Sequence, residues 1–310
     1  MRQSKEKPVL SATARRRMLK ASIVNFFTNK HSNRSVAGSV LLLLFLVLFA
    51  LLSLFPVLFM INNAFKPINE LFIFPPKLFV MQPTLGNFAD LFEIFANSLV
   101  PLLRYFFNTL FIVLVGSFGY IFLASMAAFP LAKFQFPGNA LISKIIVMAL
   151  MFSPSVTAVP SYVIMAKLGF IDTYWSIIFP AFALPLGLFL MSNFMSQVPN
   201  ALIDAAKVDG AGYMKMLWTI VMPAVKPAWI TLFIISFQGL WGTTGTNYIY
   251  KESIKPIAAM LSQIAASGSA IARAGALAAA SLLMFIIPVT VFIISQSNVL
   301  QTMVTSGIKD

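Results

Sequence analysis

Cysteine is absent from this chain, and histidine occurs once, at His31. The first absence excludes a disulfide framework and thiolate metal sites. The second leaves no histidine-based metal site and no Ser-His or Cys-His pair. Charge is also scarce. Only 10% of the 310 residues are Asp, Glu, Lys or Arg, against about 25% in an ordinary soluble domain. What fills the space is apolar: 59% of the residues are hydrophobic and the mean hydropathy is +0.88. Such a chain cannot cover a water-facing surface, so it belongs in a bilayer. A phosphate-cradling Gly-x-x-x-x-Gly-Lys-Ser/Thr loop is absent too, so the sequence offers no site for ATP.

Acidic residues are the rarer charge, nine against 22 basic ones, for a net charge of +13. Nine of the basic residues lie within Met1–Arg34, where Glu6 is the only acid. That arm precedes a long apolar run. Basic residues beside a membrane span set its orientation and meet anionic lipid headgroups. No basic domain interleaved with aromatics follows, so a nucleic-acid partner is not expected.

A membrane helix needs about 20 apolar residues without charge. Six charge-free windows qualify, and they predict helices near 39–65, 105–132, 139–163, 174–197, 224–246 and 275–297. The run Val40–Ile61 is too long for the core of a signal peptide and reads as an uncleaved anchor. The expected organisation is a basic cytoplasmic arm over 1–38, a transmembrane domain over 39–303 and a cytoplasmic tail over 304–310. Six crossings put both termini in the cytoplasm. An outer lobe near 66–104 carries Pro75, Pro76, Pro83 and Gly86, which is turn chemistry, with an interfacial helix expected around Phe88–Phe95.

The stretch DAAKVDGAGYMKMLWTIVMP, Asp204–Pro223, lies on the cytoplasmic side of this topology. Asn200 is a good helix N-cap and Gly210 a natural helix stop. Asp204 and Lys207 are three apart and share a face. Leu202, Ala205, Ala206 and Asp209 fall on another, where the alanines make the helix thin enough for a partner's groove. After Gly212, the residues Met214, Leu217, Trp218 and Val221 form an apolar stripe at helical spacing. The element is a helix, a glycine corner and a second helix. On periodicity alone an amphipathic helix resting on lipid is the favoured reading.

The particular residues favour more. Asp204-Ala205-Ala206, Asp209-Gly210-Ala211, Ile220 and Met222-Pro223 resemble the EAA motif of ABC-importer permeases at every spacing. Asp204 stands where the family usually has Glu, and Met222 where it has Leu. The outer stretch Phe72–Phe92 and the tail Val304–Asp310 are similar to those of carbohydrate permeases typified by the maltose transporter's smaller permease, in the branch that handles oligosaccharides and polysaccharides. The resemblance implies an all-α membrane protein, six transmembrane helices with a cytoplasmic coupling helix, the type I importer permease. It implies that the element 199–223 couples to an ATPase dimer through Asp204, Ala205, Ala206, Asp209, Gly210 and Ala211. It implies a homologous second permease and an extracytoplasmic sugar-binding protein as partners. No cofactor is expected on this chain itself, with ATP and Mg held by the ATPase subunits.

Sugars need hydrogen bonds and aromatic faces. Two patches inside the apolar helices offer both. One contributes Ser155, Thr157 and Tyr162, the other Gln238, Trp241, Asn247 and Tyr248. These are the candidates for a sugar path. Small and hydroxylated residues also glue membrane helices together, and for the first patch both readings stand. Two other classes compete with an importer. A secondary transporter of a small polar solute would carry ionisable groups within its spans to couple an ion; the six windows have none. A membrane enzyme would need a catalytic constellation, and no carboxylate pair, histidine or cysteine lies in any window.

Overall fold

The computed structural model describes residues 36–96, 100–267 and 273–307, and every regular element among them is helical. Most of the N-terminal arm and the last three residues of the tail lie outside the described residues. The chain divides into two compact units, Met1–Phe59 and Met60–Asp310. Helix α1 (Val36–Phe65) supplies the described part of the first. Its side chains from Val40 to Phe55 are exposed and almost entirely apolar, which suits lipid and not water.

In the larger unit the helices are α2 (Gly86–Ala96), α3 (Leu102–Lys133), α4 (Asn139–Ala149), α5 (Pro154–Lys167), α6 (Trp175–Phe182), α7 (Pro185–Ser196), α8 (Asn200–Val208), α9 (Tyr213–Ala224), α10 (Lys226–Trp241), α11 (Ile257–Ala266) and α12 (Ala274–Gly307). Helix α3 is the mast. At 1.5 Å per residue its 32 residues reach about 48 Å, and it runs through three cores in turn. Its N-terminal end, outer in the expected topology, packs Tyr105 with α2, α11 and α12. Its middle packs Ile112 and Val113 with α6 and the end of α10. Its C-terminal end, inner in the expected topology, packs Tyr120, Ala124, Ala128 and Phe129 with α7, α8, α9 and the start of α10. The close approach is built on small residues: a Cβ at Gly116 would sit 2.5 Å from Leu240 Cδ1.

The predicted spans are met unevenly. Four candidates are present among the described residues, Val40–Phe65, Leu102–Lys133, Trp175–Ser196 and Ala274–Gln296, and a fifth if α9 and α10 count as one span despite the 83° bend between them. The span expected over 139–163 is two helices, broken at 150–153 where Ser153 and Pro154 start a new one. Ser153 Oγ accepts the Ser155 N–H at 3.4 Å, and Pro154 occupies the first turn, where its missing N–H costs nothing. The span expected over 224–246 ends early, at Trp241, because the glycines and threonines of 242–246 leave the helix. The span over 174–197 is interrupted at Ala183–Leu184. There the Tyr120 hydroxyl donates to Leu184 O at 3.1 Å and accepts from Gly187 N–H, serving backbone groups the break leaves open.

The outer lobe contains the expected helix, as α2, and is held by polar staples. Asn87 Nδ2 donates to Ala64 O (2.9 Å) and Lys66 O (2.7 Å), and Glu70 Oε1 accepts from Met81 N–H (2.9 Å). Lys66 Nζ donates to Asn63 Oδ1 (3.1 Å) and to Lys77 O, and these bonds with those of Glu70 and Asn87 explain why all three residues are buried.

Candidate functional site

Two features of the larger unit combine exposed or cavity-facing chemistry with a fixed frame. The first is the α8–α9 element. Helix α8 ends in a Schellman motif. Gly210 takes φ +73°, Gly210 N–H donates to Lys207 O at 3.0 Å and Ala211 N–H donates to Ala206 O at 2.9 Å. This pair of bonds requires the left-handed conformation that glycine adopts without cost. The corner expected at Gly210 is therefore present.

The residues expected to couple fall on two sides. Asp204, Ala205, Asp209 and Gly210 are exposed. Asp204 pairs with Lys207 at 3.0 Å across one turn, with both side chains open to solvent. Ala206 is buried and Ala211 packs beside it in the inner core, together with Ile203. So Ala206 does not share the outward face of Ala205, as the sequence reading supposed: a helix advances 100° per residue, and the core takes Ile203 and Ala206, three apart. The outward face instead adds Leu202 and Val208, the latter 88% exposed.

Asn200 does not cap α8. Pro199 holds the cap position without a side-chain bond, and Asn200 Oδ1 accepts from Lys133 Nζ at 3.2 Å. Lys133, the last residue of α3, also donates to Val198 O and to Ser196 O, at the C-terminal end of α7. A cation suits that end, where carbonyls lack helical partners. Phe134 follows and meets Phe129 and Tyr213 edge-on, at 5.5 and 5.2 Å between centroids. Lys207 Nζ lies 5.9 Å above the same ring. The turn behind it is closed by Asn139 Nδ2, which donates to Leu131 O and Phe134 O. Sequence reasoning passed over Lys133 and Phe134. Their signal is a lone charge and a ring at the end of a long apolar run.

The apolar stripe of α9 also differs from expectation. Met216, Leu217, Val221 and Met222 are buried, while Met214 is 55% and Trp218 39% exposed. Leu217–Val221 is a π turn, whose bonds span five residues. The buried positions are accordingly five apart, 216 with 221 and 217 with 222. Trp218 stacks on Phe122, 5.5 Å between centroids.

The second feature is a cavity of about 960 Å³ between α3, the ends of α4 and α5, the α6–α7 break, and α10 with the loop after it. Three irregular stretches converge on it: 150–153, 183–184 and 242–247. Backbone of this kind is tolerated in a membrane protein beside protein or a water-filled space. Of the sugar-path candidates, Thr157, Asn247 and Tyr248 line it, and Ser161, Thr243, Thr244 and Thr246 join them. Tyr162 stacks on Tyr248 at 6.1 Å from one ring to the other. Ser155 and Gln238 are exposed but lie off the cavity wall.

Trp241 is a packing residue, a correction to its candidacy. It is 4% exposed, donates Nε1–H to Met284 O at 2.9 Å and stacks on Phe237 at 5.6 Å. An indole whose N–H is already satisfied by a buried carbonyl has nothing left for a solute.

The rim of the cavity loop is latched. Asp172, at φ +61°, accepts the N–H groups of Tyr250 (2.6 Å) and Lys251 (2.9 Å), and its own N–H donates to Tyr248 O at 2.9 Å. The two backbone donors, that of Lys251 first, hold its carboxyl below the usual carboxylate range. Glu252, one turn on, is pushed up by burial. Hydrogen bonds from Lys255 and Tyr105 outweigh this, so its pKa is lowered as well. Among the described residues no cluster of three or more His, Cys, Asp or Glu could hold a metal ion.

Residues 77–304 match the family model described as the binding-protein-dependent transport system inner membrane component. A putative ABC transporter permease protein, ORF2, of Caldicellulosiruptor sp. (strain Rt8B.4) is 32% identical over 200 residues, 64% of this chain and 70% of that protein. LplC of Bacillus subtilis (strain 168) is 30% identical over 220 residues, covering 69% and 70%. The polygalacturonan/rhamnogalacturonan transport system permease protein YtcP of the same strain is 27% identical over 222 residues, covering 71% and 75%. Among solved structures, a bacterial ABC transporter involved in import of the acidic polysaccharide alginate superposes with a TM-score of 0.72 at 17% identity, covering 94% of this chain and 99% of that one. At that identity the likeness concerns the fold.

Proposed function

Because this chain belongs to the family of binding-protein-dependent transport system inner membrane components, we propose that it is the permease subunit of an ATP-driven importer that moves oligosaccharides inward by alternating access. The observation that carries the reading is the α8–α9 element. It presents Leu202, Asp204, Ala205, Val208 and Asp209 outward from a corner closed at Gly210 and fixed to α3 through Lys133. A short exposed helix so anchored can pass a push from a soluble subunit to the 32-residue helix α3. An amphipathic helix resting on lipid needs no such clamp. The names of relatives, polygalacturonan and rhamnogalacturonan among them, support the carbohydrate cargo.

In this reading α8 sits in a cleft of an ATPase subunit on the cytoplasmic side, and both termini lie on that side. ATP and Mg are held by the ATPase dimer, and this chain hydrolyses nothing alone. A homologous second permease supplies the other coupling helix, and an extracytoplasmic binding protein delivers the sugar. The test is purification of the tagged chain from its native membrane in mild detergent. Recovery of one second permease and two ATPase subunits per copy of this chain, with ATP hydrolysis in the complex and none in the isolated chain, is the expected result. Purification of a chain that transports by itself, without ATPase, would overturn the proposal.

A further inference from the structure

The cavity beside α3 carries a chemical signature of its own. Not one of its lining residues is Asp, Glu, Lys, Arg or His. The polar part is hydroxyl and amide: Thr157 and Ser161 from α5, Thr243, Thr244 and Thr246 from the loop after α10, and Asn247. Thr244 and Thr246 bond each other at 3.2 Å. The Ser161 and Thr243 hydroxyls and the Asn247 side-chain amide have no hydrogen-bond partner among the described residues. The charged groups nearest in sequence to the lining are Lys251, Asp172, Glu252 and Lys144, and none of them lines the cavity. Asp172 is taken up by the Tyr250 and Lys251 N–H groups.

We propose that this cavity passes uncharged oligosaccharides and rejects acidic ones, the chain's own lining acting as a charge filter. The proposal rests on the importer reading above. A hydroxyl both donates and accepts, so a wall of threonine, serine and asparagine matches a sugar's hydroxyls in either sense. A uronate or phosphate entering the same space loses hydration and finds no cation on the wall that this chain supplies. Burying an unpaired anion is far more costly than burying a hydrogen-bonded hydroxyl. The stacked Tyr162–Tyr248 pair adds an apolar ring face at the wall, suited to the C–H face of a neutral sugar ring. A wall of this kind discriminates through what it fails to supply to the wrong solute.

The experiment uses the complete transporter, purified through this chain and placed in vesicles with its binding protein. Uptake is measured for neutral gluco-oligosaccharides and for oligogalacturonates of matched length, in the wild type and in Thr243→Lys, with Asn247→Lys as the second variant. Co-purification of the ATPase shows that each variant assembles. The expected result is a wild-type preference for the neutral sugars of about tenfold or more. Either lysine should move the acidic-to-neutral ratio toward the acid by a similar factor. Uptake of oligogalacturonate at least as fast as neutral sugar by the wild type would overturn the charge filter while leaving the importer standing. A ratio unmoved by both lysines in assembled complexes would place the discrimination outside this chain and overturn it too. Uptake of neither sugar class would sink the filter and the sugar-import reading together.

Discussion

Gly210 and Trp241 behave oppositely as residues. No atom lies within 4 Å of where a Gly210 Cβ would be, yet φ is +73°. A side chain there meets backbone strain and no clash. Gly210→Ala should cost about 1 kcal/mol and Gly210→Asn less, since Asn tolerates the left-handed region. Gly210→Pro fixes φ near −65° and deletes the donor to Lys207 O. Uptake should be lost in Gly210→Pro and largely kept in Gly210→Asn, with both inserted to the same level in a membrane-fraction immunoblot. Normal uptake by the proline variant would show that the corner is dispensable. Trp241 is the reverse case. Removing a buried, stacked indole costs about 3–5 kcal/mol, so Trp241→Ala should reduce the amount of folded chain recovered in detergent. Trp241→Phe keeps the ring against Phe237 and gives up only the bond to Met284 O, about 1 kcal/mol. A solute-binding tryptophan would show the contrary pattern, full recovery with lost uptake.

At the scale of elements, the joints matter more than the helices. Lys133 ties α3 to the end of α7 and the start of α8. In Lys133→Met the carbonyls of Ser196 and Val198 lose their donor, a cost of about 1–3 kcal/mol in a half-buried place. Uptake should drop several-fold while the ATPase still co-purifies and still hydrolyses ATP. Equal uptake in the variant would remove the clamp from the coupling route. The outer joint is Asp172, latched onto Tyr250 and Lys251. Its pKa is lowered in the folded chain, so its contribution is present above the unfolded value of about 3.9 and fades as pH falls through the still lower folded value. Hydrogen exchange at the Tyr250 and Lys251 amides, corrected for intrinsic rates, should accordingly lose protection only in strong acid. In Asp172→Asn, which keeps an acceptor oxygen and loses the charge, protection should be weaker at neutral pH and flat with pH. Equal protection in the variant at neutral pH would show that the charge does not hold the loop.

At the largest scale, the unit Met60–Asp310 is arranged along one long helix, α3, with a core at each level. The outer core joins α2, α11 and α12, the middle one α6 and α10, the inner one α7, α8 and α9. The inner core reaches the exposed face of α8, and it borders the cavity through Tyr120, as the middle core does through Ile177, Ala181 and Leu240. In the importer reading, a push on α8 has routes to the cavity through α3, α7 and α10, each of which packs in the inner core and lines the cavity. Cross-linking α8 to α3 through a Cys pair in this cysteine-free chain is a clean way to test the route through α3. Such a link should preserve uptake if α8 and α3 move as one body, and block it if α8 slides on α3.

Much of this was already legible in the sequence. Scarcity of charge over stretches of 20 or more residues determined the membrane setting, because hydrocarbon admits apolar side chains and excludes charged ones. The glycine at 210 and the paired Asp204 and Lys207 were local matters, decided within one helical turn, and spacing was enough to read them. The tertiary structure alone decided which side of α8 is buried, that Asn200 serves Lys133 and not its own helix, and that Trp241 is packed against Met284 while Thr243 and Ser161 line a cavity. It also decided where the apolar runs break, at 150–153, 183–184 and 242–247. Hydropathy sums cannot see those breaks, since a broken helix and a straight one of the same composition are equally apolar. The break is stable only where another residue, such as the Tyr120 hydroxyl at Leu184 and Gly187, satisfies the backbone groups it frees, and that residue lies 64 positions away or more.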